Sequence, residues 1–171
     1  MLGAIAGDIF CSSYEFDPET HENVALFERH RFFTDDTVLT IATADALMTD
    51  GDYTRAYREW GRRYPNCTWG ARFHDWLFGD DPRPYNSFGN GSAMRVSPVG
   101  WAFGTLDETL AEAERSAAVS HNHPEGIKGA QATAAAIFLA RTGSTKEAIR
   151  REITNRFGYD LDRTVAEIRP T

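Results

Sequence analysis

The hydrophobic residues of this chain recur mainly at helical spacing. Near the start, Leu2, Ile5, Ala6 and Ile9 follow one another at intervals of one, three or four residues, which places them on one face of a helix. Residues 38–48 are apolar on most sides, a pattern that predicts a helix buried at the centre of the fold. Because no segment shows the alternation of apolar and polar residues typical of a strand, the sequence predicts an all-α fold.

Helix ends in the second half of the chain are marked by capping boxes, a proline and glycines. The pattern Ser/Thr-x-x-Glu occurs at residues 105–108 and 144–147, and it predicts that a helix begins at each. Pro124 suits the first position of a further helix, which we expect to end at Gly143. Gly158 is predicted to stop the last of these helices.

Two long stretches, 16–33 and 65–104, carry no such helical pattern, and we expect them to be irregular. Loops of that length in a compact helical domain usually carry function. Four groups of polar residues lie in these stretches or at helix ends. They are therefore the candidates for a functional site.

Composition limits the class of protein. With 171 residues, of which 42% are hydrophobic and 25% charged, the chain is predicted to form one soluble domain over residues 1–171. The formal net charge of −7 argues against binding to a nucleic-acid duplex or an anionic membrane. The two cysteines lack the spacing of a disulfide framework or a zinc site. No apolar run reaches the ~18 residues of a membrane span, so we expect a cytoplasmic protein.

The first polar group is Thr34-Asp35-Asp36-Thr37, directly before the central apolar segment. Two adjacent carboxylates repel each other unless a cation or hydrogen-bond donors offset their charge. An oxygen-only cluster of this kind suits a hard divalent cation. The same side chains also cap the free N–H groups of a helix start and suit the positive end of the helix dipole. From this segment alone, a helix cap and a metal site both remain open.

The second group is a pair of carboxylates near the start of the chain. Glu15 lies seven residues after Asp8, two helical turns on, so the two side chains are expected on the same face. A carboxylate just beyond a helix end is positioned to act as a movable general base. A solvated glutamate at a helix terminus is the ordinary alternative.

The third group, residues 86–95, combines glycines with hydrogen-bond donors. Glycines on both sides of Asn90 permit positive φ, so that consecutive N–H groups would form a concave anion nest. An ordinary Asn-Gly turn is the alternative. Hydroxyls, an aromatic plane and a positive charge in the same segment are also compatible with a phosphate-containing ligand. The candidate binding residues are Ser87, Phe88, Gly89, Asn90, Gly91, Met94 and Arg95.

In the fourth group, His121 and His123 directly precede the helix predicted at Pro124. Their i, i+2 spacing does not place both on one helical face, and no acidic or cysteine partner follows at a metal-binding spacing. Hydrogen bonding to a substrate and capping of the helix are therefore favoured over zinc binding.

Taken together and in this order, these segments resemble the ADP-ribosylglycohydrolase family, which includes dinitrogenase reductase-activating glycohydrolases and ADP-ribosyl-acceptor hydrolases. The matching segments are Gly3–Asp8 with Tyr14-Glu15, Phe33–Thr37, Phe88–Arg95 and Ser120–Gly126. The resemblance implies a single-domain orthogonal array of helices with a binuclear Mg²⁺ or Mn²⁺ centre. It also implies a hydrolase that cleaves the glycosidic bond between ADP-ribose and an acceptor, either an ADP-ribosylated protein or a small ADP-ribosyl conjugate.

The resemblance further implies a role for each matching residue. Thr34, Asp35 and Asp36 match metal ligands, and Glu15 matches a mobile glutamate near the scissile bond; the expected catalytic residues are Glu15, Asp35 and Asp36. Residues 87–91 match the loop around the phosphates and ribose of ADP-ribose. The residues assigned to the same substrate site outside that loop are Met94, Arg95, His121 and His123.

One part of the family pattern has no match in this chain. That pattern ends with a second acidic triplet, and after Arg141 only residues 160–164 approach it. The sequence therefore predicts a C-terminally shortened domain, incomplete at its C-terminus, with half of the metal ligands. Two hypotheses remain open: a hydrolase completed by another segment or chain, and a non-catalytic ADP-ribose-binding or interaction protein. Apolar surface exposed by the shortening predicts a homo-oligomer.

Overall fold

The computed structural model of the protein describes residues 1–15 and 31–168, and within these ranges every regular element is a helix. The all-α prediction is confirmed. The helices are α1 (Leu2–Cys11, followed by a 3₁₀ turn at Ser12–Tyr14), α2 (Asp35–Met48), α3 (Tyr53–Arg63), α4 (Ala71–Phe78), α5 (Gly91–Met94), α6 (Val99–Ala102), α7 (Leu106–Ala118), α8 (Pro124–Arg141), α9 (Lys146–Phe157) and α10 (Val165–Ile168). None of the helices in the described ranges is both long enough and apolar enough to cross a membrane.

The apolar segment 38–48 lies within α2 and is largely buried, as predicted. Val38, Leu39, Ala42 and Ala46 are all buried. The helix packs against α1, α3 and the short helices α5 and α6. Its first turn, which carries the Thr34–Thr37 motif, is therefore held from several directions.

Two apolar clusters flank this helix and differ in side-chain size. The first joins α2, α3 and α4 and includes Leu39 and Leu77. Gly61 permits the close contact of α3 with α4, because a Cβ there would lie 2.7 Å from a Leu77 methyl carbon. The second joins α6, α7 and α8 and includes small residues such as Ala117 and Ala130. Small side chains at facing positions let α7 and α8 pack along their length.

A buried polar network connects α2, α3 and α7. The Tyr57 hydroxyl lies 3.1 Å from Thr43 Oγ1 and 3.4 Å from the Ser116 carbonyl oxygen. On the next turn of α3, the Tyr53 hydroxyl donates to Glu112 Oε1 at 2.6 Å. Buried polar groups are stable only when they are hydrogen-bonded, so these contacts fix the position of α7 relative to the centre of the fold.

The helix boundaries agree with the sequence except at one start. The capping box at residues 105–108 is present, and Gly158 ends α9 in the left-handed conformation with φ 73°. The box predicted at 144–147 is wrong by one residue, because Thr145 caps α9 by accepting from the Ala148 N–H. The Ser144 N–H instead donates to the Leu139 carbonyl oxygen and closes the end of α8.

The expectation that residues 65–104 are irregular is wrong in part, since α4, α5 and α6 all lie there. Helix α4 has only eight residues, and it buries Phe73, Trp76 and Leu77 at helical spacing. So short a segment gives a weak periodic signal, and its stability comes from packing rather than from helix propensity. Of the other stretch expected to be irregular, residues 16–30 lie outside the described residues.

Candidate functional site

Asp8 of α1 fixes the start of α2. Its Oδ1 accepts from Thr34 Oγ1 at 2.6 Å, and its Oδ2 accepts from Thr37 Oγ1 at 2.5 Å and from the backbone N–H groups of Thr34 and Thr37 at 2.8 and 3.2 Å. Thr34 Oγ1 in turn accepts from the Asp36 N–H, so Thr34 is the N-cap of α2. The capping interpretation is confirmed. Asp8, which was not among the predicted site residues, anchors the motif.

Carboxylates crowd the space beside this cap. A cavity of about 430 Å³, called here the acidic cavity, is lined by Asp8, Glu15, Thr34, Asp36 and Asn90 among others. Burial raises the pKa of Asp36 to about 6, and the charges of Asp35 and Asp8 add to that effect. The pKa of Glu15 is also raised, first by burial and then by Asp36 and Asp8. Each anion here is destabilised by its neighbours.

Asp35 lies on the other side of the same helix start. Burial raises its pKa to about 6, Glu15 and Asp8 act in the same direction, and a hydrogen bond from Thr68 acts against them. That bond runs from Thr68 Oγ1 to Asp35 Oδ1 and is 3.2 Å long. Asp35 is thus connected to the loop between α3 and α4 as well as to the acidic cavity.

The oxygen donors of this motif fit a hard divalent cation in part. Carboxylates of Asp35 and Asp36 and the hydroxyl of Thr34 are ligands of the kind that Mg²⁺ and Mn²⁺ take. Thr34 Oγ1 uses its proton on Asp8 and one lone pair on the Asp36 N–H, which leaves a lone pair for a cation. Within residues 1–15 and 31–168, no three Asp, Glu, His or Cys side chains come together to enclose a metal ion. The described residues alone therefore offer candidate oxygen ligands and no complete ligand set.

In the 86–95 segment Gly91 permits a close approach to His121, and neither glycine has positive φ. Positive φ was permitted for the glycines around Asn90, but neither Gly89 nor Gly91 has it; Asn86 does, with φ 55°. A Cβ at position 91 would lie 2.8 Å from His121 Nε2, so a larger residue there would displace the imidazole. Asn90 immediately precedes α5, which begins at Gly91.

Hydrogen bonds bring this segment together with the histidine motif. The Asn86 N–H donates to Asn122 Oδ1 at 2.7 Å, and Ser92 Oγ donates to the Gly126 carbonyl oxygen at 2.7 Å. A cavity of about 360 Å³, the glycine-loop cavity, lies at this junction. Among the residues that line it are Asp35, Tyr85, Ser87, Gly89, Asn90, Gly91, Met94, Arg95 and His121. Asn90 lines both this cavity and the acidic cavity. The predicted ligand-binding loop, residues 86–95, therefore adjoins the predicted metal motif, residues 34–36.

Arg95 and Ser120 determine which nitrogen of His121 carries the proton. Arg95 Nη2 donates to Ser120 Oγ at 2.9 Å, and Ser120 Oγ lies 2.8 Å from His121 Nδ1. An arginine can only donate, so Ser120 Oγ accepts from it; among the described residues the one acceptor recorded for the Ser120 hydroxyl proton is Nδ1, and we therefore assign that proton to the Ser120–Nδ1 bond. Burial, followed by the charge of Arg95, lowers the pKa of His121 to about 3, so the ring is neutral at pH 7. His121 is therefore protonated on Nε2, the nitrogen beside Gly91.

Replacing Ser120 with alanine is expected to weaken the preference of His121 for the Nε2–H tautomer. Without the hydroxyl donor at Nδ1, the imidazole acquires a measurable Nδ1–H population, and stability falls by about 1 kcal/mol because Arg95 loses an acceptor. Nitrogen-15 NMR of the ring nitrogens measures the tautomer directly. Ser116→Ala is the matched control, because among the described residues the Ser116 side chain bonds only to the Ala113 carbonyl oxygen. An unchanged tautomer in Ser120→Ala contradicts the assignment.

His123 has a different position from His121. Its Nδ1 accepts from the Glu125 N–H at 3.1 Å, so it caps α8, one of the alternatives left open by the sequence. Its ring lies 5.5 Å from that of Phe88, which is largely exposed. Contacts of Phe88 and His123 with a substrate stay predictions. Both residues are close in sequence to residues that line the glycine-loop cavity, but neither of them lines it.

Comparison with known proteins agrees with this arrangement. The family described as ADP-ribosylglycohydrolase matches residues 1–169. The chain belongs to the ADP-ribosylglycohydrolase family. A curated relative is the ADP-ribosylarginine hydrolase Tri1 of Pseudomonas putida (strain GB-1), which is 27% identical over an alignment of 177 residues. The alignment covers 86% of this chain and 47% of that protein. The chain thus spans about half the length of this relative.

Three residues of this candidate site were not assigned from the sequence. Asp8 anchors the Thr34–Thr37 motif, Ser120 connects Arg95 to His121 through two hydrogen bonds, and Thr68 donates to Asp35. Asp8 and Ser120 stand inside the quoted motifs, so a signal was present for them. Thr68 lies outside every motif, and only the folded chain brings it to Asp35.

Proposed function

We propose that this chain takes part in the divalent-metal-dependent hydrolysis of the bond between ADP-ribose and an arginine side chain. The observation that carries the proposal is the shared wall of the two cavities at Asn90: carboxylates line one cavity, and hydrogen-bond donors suited to a phosphate-containing ligand line the other. The name of the relative Tri1 supports arginine as the acceptor. An ADP-ribosylated protein and a small ADP-ribosyl-arginine conjugate both present this bond.

The carboxylate cluster supplies the chemistry at the ribose. Thr34 Oγ1, Asp35 and Asp36 are the groups that would hold Mg²⁺ or Mn²⁺. When bound, such an ion would orient ribose hydroxyls and the attacking water. Glu15 lines the same cavity, and its raised pKa makes it a stronger base for the proton of an attacking water. Water adds to the anomeric carbon, the bond to the guanidino nitrogen breaks, and that nitrogen gains a proton.

The glycine-loop cavity supplies binding energy away from the reacting bond. The hydroxyl of Ser87 and the Nε2–H of His121 are donors for phosphate or ribose oxygens. The buried guanidinium of Arg95 places a positive charge behind the wall. Binding of a remote phosphate group positions the scissile bond, which is the main contribution expected from this pocket.

A non-catalytic ADP-ribose-binding protein is the second candidate. It is favoured by one observation: the described residues carry only part of a metal ligand set. In this alternative the glycine-loop cavity binds ADP-ribose, and the acidic cavity makes no contribution to turnover.

The two candidates are separated by measurements on the full 171-residue chain. Calorimetry measures ADP-ribose affinity with Mg²⁺, with Mn²⁺ and with EDTA, and chromatography measures release of ADP-ribose from an ADP-ribosyl-arginine peptide under the same conditions. Release that requires metal is the expected result. Binding without release under every metal condition favours the second candidate. Absence of ADP-ribose binding overturns both.

A further inference from the structure

A third depression borders the metal motif on the side of α3. It has a volume of about 340 Å³ and is called here the aromatic cleft. Its lining residues come from the segment before α2, from the end of α3 and from the loop that follows: Phe32, Phe33, Thr34, Arg63, Tyr64, Pro65, Asn66, Cys67 and Thr68. Of these residues, Thr34 and Thr68 also belong to the candidate site described above.

Three aromatic rings of the cleft are exposed. The exposed fractions are 57% for Phe32, 42% for Phe33 and 37% for Tyr64. Phe33 and Tyr64 meet edge to face with their ring centres 5.5 Å apart, and Tyr64 also stacks with Trp60 at 6.4 Å. Ring contacts thus hold Phe33 and Tyr64 in place while part of each side chain stays exposed and available to a ligand.

The cleft is in contact with the carboxylates of the metal motif. Thr34 lines both the cleft and the acidic cavity. Thr68, on the opposite wall, donates to Asp35. The cleft therefore combines aromatic rings with a wall that it shares with the acidic cavity.

Three depressions adjoin the motif 34–36, and an ADP-ribosyl substrate has three parts. The glycine-loop cavity carries donors for phosphates, and the acidic cavity carries the reacting groups. We propose that the aromatic cleft is the acceptor subsite and that it binds the alkylguanidinium group of an arginine side chain. This inference rests on the proposed function for the division of the substrate, but the cleft and its affinity for a guanidinium can be tested separately.

The chemistry of the cleft favours a planar cation. A guanidinium stacks on aromatic faces, is weakly hydrated and is attracted by ring quadrupoles. Among the described residues that line the cleft, Arg63 is the charged one, and it opposes a cationic ligand. Its guanidinium lies 4.9 Å from the ring centre of Trp60, which stacks with Tyr64 but does not line the cleft. Arg63→Gln is expected to tighten binding of the cation by about twofold to fivefold.

The test uses butylguanidinium as the probe, with butylurea as its neutral, planar counterpart and butylammonium as a non-planar cation. NMR titration of the full chain should show butylguanidinium shifting the backbone signals of residues 63–68, with butylurea and butylammonium binding at least about threefold more weakly. Equal binding of butylurea overturns the role of charge. Equal binding of butylammonium overturns the preference for a planar group. Absence of shifts at residues 63–68 overturns the site.

Variants locate the interaction. Phe33→Leu and Tyr64→Leu are each expected to weaken butylguanidinium binding by about threefold to tenfold. Trp101→Leu is the matched control, because Trp101 is 57% exposed, as is Phe32, but lies outside the cleft. If Trp101→Leu weakens butylguanidinium binding as much as the two cleft substitutions do, the proposal is overturned. ADP-ribose affinity, measured on the same samples, tests the proposed function separately. If the wild-type chain does not bind ADP-ribose, the proposed function is overturned, whereas the probe titrations alone test whether the cleft binds a guanidinium.

Discussion

Replacing Arg95 with methionine is expected to lower the free energy of unfolding by about 3 kcal/mol. The Arg95 side chain is fully buried, and its guanidinium lies 4.0 Å from the centre of the Tyr57 ring. Its Nη2 donates to the Ser116 carbonyl oxygen at 3.1 Å and to Ser120 Oγ at 2.9 Å. The substitution removes the donors of two buried acceptors and the cation–π contact at once. Urea unfolding followed by tryptophan fluorescence measures the change.

Arg55→Met is the control for this prediction. Arg55 pairs with Asp50 at 3.0 Å and with Glu59 at 2.8 Å, but on the exposed surface of the fold. Exposed ion pairs contribute little, so we expect a loss below about 0.5 kcal/mol in spite of the two carboxylate partners. A loss at Arg95 no larger than the loss at Arg55 would contradict the role given to burial.

Arg95 also shows why a residue's type and position in a motif do not give its role. The sequence assigned Arg95 to substrate binding because it ends the glycine-containing segment. In the structure its Nε and Nη1 are buried without a hydrogen-bond partner in the described ranges, and the Tyr57 ring lies against the guanidinium. Its structural contribution to the site is therefore indirect, through Ser120 to His121, and direct contact with a ligand stays a prediction.

The fold was predictable where the local signal is strong. The central helix α2 follows from a long apolar segment, and the start of α7 follows from a Thr-x-x-Glu box that uses only residues within one turn. At residues 144–147 the same box was misleading, because the Ser144 N–H is already used by the end of α8. Such competition between neighbouring helices depends on tertiary structure and is absent from the local pattern.

The sequence predicted the segments that form the candidate site better than it predicted the contacts between them. The motifs at residues 34–37, 86–95 and 120–126 do adjoin, as the resemblance implied. The contacts that hold them together join residues far apart in sequence, such as Asp8 with Thr37 and Thr68 with Asp35. Hydroxyl groups make most of these contacts, and serine and threonine are too common for their role to be recognised without the fold.

The double substitution Asp35→Asn/Asp36→Asn is expected to raise the free energy of unfolding by about 2 kcal/mol at pH 8 and to leave it nearly unchanged at pH 3. Both carboxylates have folded pKa values of about 6, above the ordinary 3.8. The folded protein therefore holds these protons more tightly than the unfolded chain does. The stability that this provides is complete below pH 3.8 and is lost as the pH rises through about 6. Partial exposure of both groups keeps the effect well below the full conversion of the two shifts.

The same substitution is expected to abolish hydrolysis and the stabilisation of the chain by Mg²⁺ or Mn²⁺, since the anions that destabilise the fold are the proposed metal ligands. Thermal unfolding with and without metal, at both pH values, measures both effects. Asp107→Asn is the matched control: Asp107 lies in the first turn of α7 and is exposed, so only the favourable interaction with the helix dipole is lost, and stability should fall by a few tenths of a kcal/mol. A double variant less stable than the wild-type chain at pH 8 would show that the two carboxylates stabilise the start of α2 more through the helix dipole than they destabilise it through burial and mutual repulsion. Metal stabilisation that survives the double substitution would contradict the proposed ligands.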